Sequence, residues 1–374
     1  MILRRIATIL FLPMMFAFGS GVYLYLGTMK SKVVKERAQL PTVTKPKFLL
    51  PGTMFVVQSG RLFKLKDGGF SEIGPAGDWS MPTLTPDHTQ LIAVLRAAQY
   101  SDLYLLDLNG QVIRRLTHDD SRILDANHWA FYPRVSSDGT SVFYSYDSPK
   151  SGYQVDFAIW SMPLKGSQIQ ARRHTTPDPY PYIQRTGGDV SPVAMSATKF
   201  LFVRHSIDPS TDVHTQIWLQ DRPSVLGYPA TDGKPLTDVA QSCSQPALSP
   251  DGTQLAMICT DGKQTGRLEV APFNGSTLGP ARVLLTGGLY AQPTWSPDGK
   301  ALAYYAPTGA AGHFELWYLP LPVAATPPAT AAASTSPVAA VSATPTPTLT
   351  PAAPTPVQVT QGVDLSATSP PAWF

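Results

Sequence analysis

One phrase recurs through the middle of the chain and limits what it can fold into. It reads Pro82-Thr-Leu-Thr-Pro-Asp87, Pro133-Arg-Val-Ser-Ser-Asp138-Gly139, Pro246-Ala-Leu-Ser-Pro-Asp251-Gly252 and Pro293-Thr-Trp-Ser-Pro-Asp298-Gly299, with a degraded copy at Pro192-Val-Ala-Met-Ser-Ala-Thr-Lys199. Successive leading prolines stand 51, 59, 54 and 47 residues apart. Self-similarity at such a period means supersecondary units that cannot bury their faces alone and stack on one another.

Each phrase is followed by a short run of aliphatic and aromatic residues, such as Leu91–Leu95, Ser141–Tyr146 and Leu255–Cys259. A second such run comes after a variable loop, at Asp102–Leu108, Phe157–Pro163 and Arg267–Ala271 among others. Runs of this kind bounded by Gly, Pro and Asp read as strands. The unit is therefore strand, Pro-Asp-Gly turn, strand, loop, strand and a variable outer strand, which is one blade of a β-propeller. Five phrases account for five blades, and Met54–Val57, Arg61–Leu65 and Phe70–Ile73 supply later strands of another. Residues 48–322 divide into six blades of about 46 residues. The predicted fold class is all-β, a six-bladed propeller. The strand that closes the ring is left open between residues 40–50 and the start of the segment after residue 322.

The phrase, preceded in several blades by Leu-Thr (Leu116-Thr117, Leu236-Thr237, Leu285-Thr286), resembles the TolB-like, WD40-like repeat of bacterial exported propellers. The Ser-Pro-Asp-Gly forms at 249–252 and 296–299 come nearest that pattern; His88 replaces the glycine in the second blade, Ser137 the proline in the third, and the fourth has lost the turn. The resemblance covers 48–322 and implies a propeller that acts by binding proteins or other ligands. A counterpart of the separate N-terminal α/β domain that accompanies the propeller in TolB is not expected here.

Asp87, Asp138, Asp251 and Asp298, with Gly252 and Gly299, are read as turn residues: Asp accepts hydrogen bonds from its own turn and Gly takes positive φ. No Gly-x-Ser-x-Gly elbow, His-Glu-x-x-His, Walker A loop, dinucleotide fingerprint or EF-hand loop occurs. No cofactor and no metal site is expected. Propeller topology places the loops entering each innermost strand and those joining second to third strands on one face. On that face the reading puts Trp79, His128, Trp129, Tyr132, Tyr153, Tyr180, Tyr182, His205, His214, Tyr290 and His313, together with His118, Phe131 and His174. A histidine- and aromatic-rich rim is a candidate ligand or partner surface, although long loops collect such residues in any case. Trp160, Trp218 and Trp317, each on a third strand, are assigned to packing between blades.

Composition enters where the ends are concerned. Only 15% of residues are charged and 37 are proline, against roughly 25% and 5% in ordinary soluble domains. Residues 6–28 carry no charge, and at about 1.5 Å per residue they span a hydrocarbon layer as one helix. Residues 1–28 are read as a membrane anchor, with a cleaved signal peptide as the rival, and 29–47 as a charged tether. Either reading exports the rest of the chain. Residues 323–374 hold 13 Ala, 10 Pro and 10 Thr, a composition read as a disordered low-complexity tail. The formal +3 resides in the N-terminal segment; residues 48–322 hold 21 basic and 24 acidic side chains, which argues against nucleic acid as a partner. A hairpin turn at Pro250-Asp251-Gly252 sets position 243 opposite 259, where cross-strand Cβ atoms lie about 4.5–5.5 Å apart. Cys243 and Cys259 are therefore either a disulfide or two buried thiols, and the disulfide would imply an oxidising compartment.

Together these features point to a membrane-anchored, extracytoplasmic, non-catalytic binding or scaffolding propeller of the bacterial cell envelope, with an envelope protein or glycan as partner. The alternative is a propeller-type hydrolase or lyase acting on an envelope glycan or peptide.

Overall fold

Apolar runs that are not interrupted by polar residues at every second position need cover on both faces. A computed structural model of the chain supplies that cover by setting six four-stranded antiparallel sheets around a ring. It describes residues 48–148, 156–176, 186–207, 212–221, 233–308, 312–321 and 355–374. The expected anchor over 1–28 and tether over 29–47 lie outside these residues. Among the described residues no helix is long and apolar enough to cross a membrane.

Blades two to five each use four consecutive strands. They run Asp78–Leu84 to Val112–Arg115, Ala130–Val135 to Arg172–Arg173, Asp189–Ala194 to Lys234–Pro235, and Cys243–Leu248 to Arg282–Gly288. Blade six comprises Ala291–Trp295, Ala301–Pro307, Phe314–Pro320 and, as its outer strand, Val357–Gln358. In blade one, Thr53–Gln58, Arg61–Lys66 and Gly69–Ile73 are joined by Ala372–Trp373 as the innermost strand. Closure thus comes from the last residues of the chain, which neither location considered from the sequence provides.

The expectation of a disordered tail over 323–374 fails for 355–374. Those residues complete two blades, and the low-complexity stretch 322–354, outside the described residues, joins the third and outer strands of blade six. Trp373 is buried. Composition misled because Ala, Pro and Thr suit propeller inner strands as well as spacers: Ser369-Pro370-Pro371-Ala372-Trp373 is another version of the recurring phrase, and Val359-Thr360 another version of its Leu-Thr prelude.

That prelude has a mechanical role. In blades two, three, four and six the threonine hydroxyl accepts from the third strand: Leu103 N–H to Thr117 Oγ1, Ile159 N–H to Thr175, Ile217 N–H to Thr237 and Leu316 N–H to Thr360, all at 2.9–3.0 Å. Each satisfies a buried backbone donor where the short outer strand ends. The Asp turns are equally regular. Asp251 accepts from Ser249 Oγ and Thr253 Oγ1, and Asp298 from Ser296 Oγ and Lys300 N–H. Hydrogen bonds from these neighbours hold both carboxyls below the usual carboxylate range. Asp87 and Asp138 do the same in their turns, and Gly252 and Gly299 take φ of 73° and 69°.

The core lies between blades. Alternate residues of each second strand face opposite neighbours: Phe55 and Val57 pack with Leu91 and Ala93 of blade two, while Met54 and Val56 pack with Tyr305 and Leu316 of blade six. Between blades three and four the filling is aromatic, with Phe143 and Phe200 rings 5.0 Å apart. A disulfide joins Cys243 to Cys259, which face each other across the first and second strands of blade five.

Candidate functional site

The innermost strands share a distortion that shapes the ring axis. In blades two to six the residue before the leading proline has positive φ: Met81 52°, Tyr132 54°, Ser191 53°, Gln245 53° and Gln292 52°. The ladder to the second strand slips at each of these points, which is a β-bulge. A bulge breaks the ladder and leaves a backbone donor to be satisfied elsewhere. Side chains of neighbouring blades take several of these donors: Met81 N–H donates to Ser369 Oγ at 2.7 Å, Tyr132 N–H to Met81 Sδ at 3.2 Å, and Gln292 N–H to Gln245 Oε1 at 2.6 Å. The bulged residues form a belt around the axis, with a cavity on either side of it.

The cavity on the loop face has a volume of ≈ 550 Å³ and is lined by Arg96, Phe131, Tyr132, Phe157, Val203 and His205, among others. Its rim is built from four side chains in contact. The exposed Arg96 guanidinium lies 5.8 Å over the Trp129 ring, Trp129 stacks on Phe131 at 5.8 Å, and Phe131 meets Phe157 edge-on at 5.8 Å. Arg96 ends a second strand, Trp129 enters an innermost strand and Phe157 begins a third, so three loops, of two types, from two blades meet there. Asp147, buried below, fixes the corner by accepting from His128 Nδ1 and Trp129 N–H, both at 2.9 Å. His205 Nδ1 lies 2.9 Å from Gly188 O. A carbonyl only accepts, so Nδ1 carries the proton and Nε2 is the acceptor when the ring is neutral.

The residues expected on this face divide into groups. Tyr132 and His205 line the cavity, Trp129 stacks at its rim on Phe131, and His128 is held next to Trp129 by Asp147. His214 and His313 begin third strands on the same side, His313 lying 3.1 Å from Asp364 at an exposed position. Tyr290 is half-buried, donating to Thr286 O and packed edge-on against Tyr304. Trp79 does not reach the surface: it is 1% exposed, its Nε1–H donates to Pro75 O, and its ring packs on Tyr104 between blades. It stands near a strand entrance, but alternation turns its side chain inward. Tyr153, Tyr180 and Tyr182 lie outside the described residues. Arg96, Phe157 and Asp147 were missed; each sits at a second-strand end or third-strand start, where one residue separates core from rim and no motif marks the change.

Elsewhere, Ser161 Oγ lies 2.7 Å from His174 Nε2, a geometry reminiscent of a nucleophile and base. Both residues are buried, the imidazole packs between Phe143 and Phe200, and burial holds the ring neutral, with its pKa lowered to about 4. No substrate reaches that pair, so it reads as a satisfied core contact. Among the described residues no group of three His, Cys, Asp or Glu side chains is placed to hold a metal ion.

No protein-family model matches the chain. In sequence it is similar to the Tol-Pal system protein TolB of Alcanivorax borkumensis, 28% identical over 166 residues, which are 41% of this chain and 34% of that protein. The match therefore spans about a third of the curated relative's length. In fold it is similar to the crystal structure of TolB from Acinetobacter baumannii, with a TM-score of 0.52 at 18% identity, covering 74% of this chain and 63% of that one. A puromycin hydrolase structure aligns with a TM-score of 0.45 at 17% identity, covering 66% of this chain and 38% of that one.

Proposed function

We propose, starting from a TolB-like six-bladed propeller, that this chain is a non-catalytic binding or scaffolding protein of the bacterial cell envelope. It is held to the membrane by the apolar segment at 6–28, and its propeller faces an oxidising, extracytoplasmic space. Its partner is an envelope protein, bound at the loop-face rim.

The observation that carries this reading is the Arg96–Trp129–Phe131–Phe157 rim over the ≈ 550 Å³ cavity. Tryptophan and arginine are the residue types that most often dominate the energetics of protein interfaces. Here an exposed guanidinium lies over a half-buried indole. The Cys243–Cys259 disulfide supports the compartment. Similarity to TolB supports an envelope setting.

The test is a photo-crosslinking side chain installed in intact cells at Trp129, with Thr140 on the opposite face as control. A discrete protein adduct from position 129, absent from position 140 and lost on Arg96→Ala with Phe131→Ala, is the expected result. Equal labelling from both positions, or none from 129, rejects the rim as the partner surface. An adduct replaced by glycan-dependent retention would transfer the site to a saccharide.

A further inference from the structure

The cavity on the other side of the belt, at the mouth ringed by the Asp turns, has a volume of ≈ 380 Å³. Proline walls from several blades, with Trp295 and Trp373, give it a fixed shape, and Thr83, Thr294, Gln245 and Gln292 bring hydroxyl and amide groups to its lining. Among the described residues that line it there is no carboxylate and one permanent charge, Arg134.

Two comparisons within the molecule make Arg134 conspicuous. The first is with its own repeat position. The residue after the leading proline is Thr83, Val193, Ala247 and Thr294 in the other recurring phrases, and Pro371 in the closing strand. The fold is thus satisfied by a small or apolar residue there, and blade three alone carries a guanidinium. The second comparison is with Arg204, which is buried and has the compensation a buried cation needs: Nε donates to Asp189 Oδ1 at 2.8 Å and Nη2 to Oδ2 at 2.9 Å. Arg134 has no carboxylate partner among the described residues, and Nη1 donates to Pro133 O at 3.0 Å. Burial lowers its pKa to about 10, with Tyr132 a minor opposing influence. That value leaves it charged at neutral pH.

We propose that this turn-face cavity is a binding site for a small organic carboxylate, anchored by Arg134. The guanidinium fork matches a carboxylate in two parallel hydrogen bonds. A single fixed positive charge suits a monoanion, and the volume falls in the range of small-molecule sites, about 300–1,000 Å³. The apolar walls provide cover for the organic part of the ligand. This site is separate from the rim on the loop face and does not depend on its role.

The test uses the full-length chain and the fluorescence of Trp295 and Trp373, read with benzoate, its neutral isostere benzamide, and inorganic phosphate. Benzoate should change the signal saturably, benzamide should bind at least about tenfold more weakly, and Arg134→Met should weaken benzoate by at least about tenfold. In the absence of ligand, Arg134→Met should melt at or above the temperature of the native chain, since it removes a half-buried charge that has no carboxylate partner among the described residues. The proposal is overturned if benzoate fails to saturate by about 10 mM, if benzamide or phosphate matches it, or if Arg134→Met still binds. A lower melting temperature for that variant would overturn it too, because the guanidinium would then be structural.

Discussion

Thr53 and Phe374 exchange both backbone hydrogen bonds, Thr53 N–H to Phe374 O at 2.7 Å and Phe374 N–H to Thr53 O at 3.0 Å. The first and last strands of the propeller are thereby neighbours in one sheet, and the ring is sealed by backbone pairing plus a side-chain anchor. That anchor is Trp373, whose Nε1–H donates to Pro51 O at 2.7 Å and whose ring meets Tyr318 edge-on at 6.3 Å. Trp373→Ala should lower the unfolding free energy by about 3–5 kcal/mol, measured by chemical denaturation. A loss below about 1 kcal/mol would mean that closure does not rest on this strand.

If residues 355–374 are blade and not tail, then the stretch before them is an insertion between two strands of one sheet. Loop closure cost grows only by about 0.6 kcal/mol per doubling of length. Replacing 326–351 with a short Gly/Ser linker should therefore change stability by no more than about 1 kcal/mol, whereas removing 355–374 should abolish cooperative unfolding. Thermal melts of the two variants separate the cases, and a collapse on excision alone would refute the insertion reading.

What could be read from the sequence was what repeats. Pro, Asp and Gly at fixed offsets disclosed the blades, because each of those residues is demanded by backbone geometry. The belt around the axis was not readable, since Met81, Tyr132, Ser191, Gln245 and Gln292 share a conformation and no chemistry. Ring closure was hidden for a different reason. Thr360 and Ser369-Pro370 repeat the known pattern, but 322–354 displaces them and shares their composition. At the rim, His128, Trp129 and His205 were legible as residues near loop ends, but Arg96 was not, because its pairing with Trp129 depends on how two connections of adjacent blades approach each other.

The Cys243–Cys259 link closes a short segment, with a sequence separation of 16. Constraining a loop of that size in the unfolded chain stabilises by about 3 kcal/mol. Replacing both cysteines by serine should lower the denaturation midpoint correspondingly. In the native chain, a thiol reagent under denaturing, non-reducing conditions should modify neither residue; labelling of both would remove the main support for export.

Gly252 isolates a backbone effect from a packing effect. A Cβ added there meets nothing within 4 Å, yet φ is +73°. Gly252→Ala should therefore destabilise by about 1 kcal/mol through conformation alone. Gly188→Ala should cost more, since the added Cβ would stand 2.3 Å from Phe157 O and φ is also positive, +72°. Equal costs in paired denaturation curves would show that the close approach at Gly188 relaxes freely.

His174 sets a pH dependence whose sign comes from its burial. Its folded pKa is lowered to about 4 from 6.5, first by burial and then by repulsion from Arg172. Between those values the ring is neutral in the folded protein and charged in the unfolded chain, so unfolding takes up a proton. The contribution is fully present above about pH 6.5 and is lost as the pH falls toward 4, by about 3 kcal/mol in all. Asp102 and Asp119, both raised by burial, work in the opposite direction, since their protonation is favoured in the folded state. The native curve alone therefore mixes these influences, and the comparison with His174→Gln separates them. The native chain should lose about 2–3 kcal/mol more than the variant between about pH 7 and pH 4.5. Parallel stability curves would show that the imidazole is not held neutral between Phe143 and Phe200.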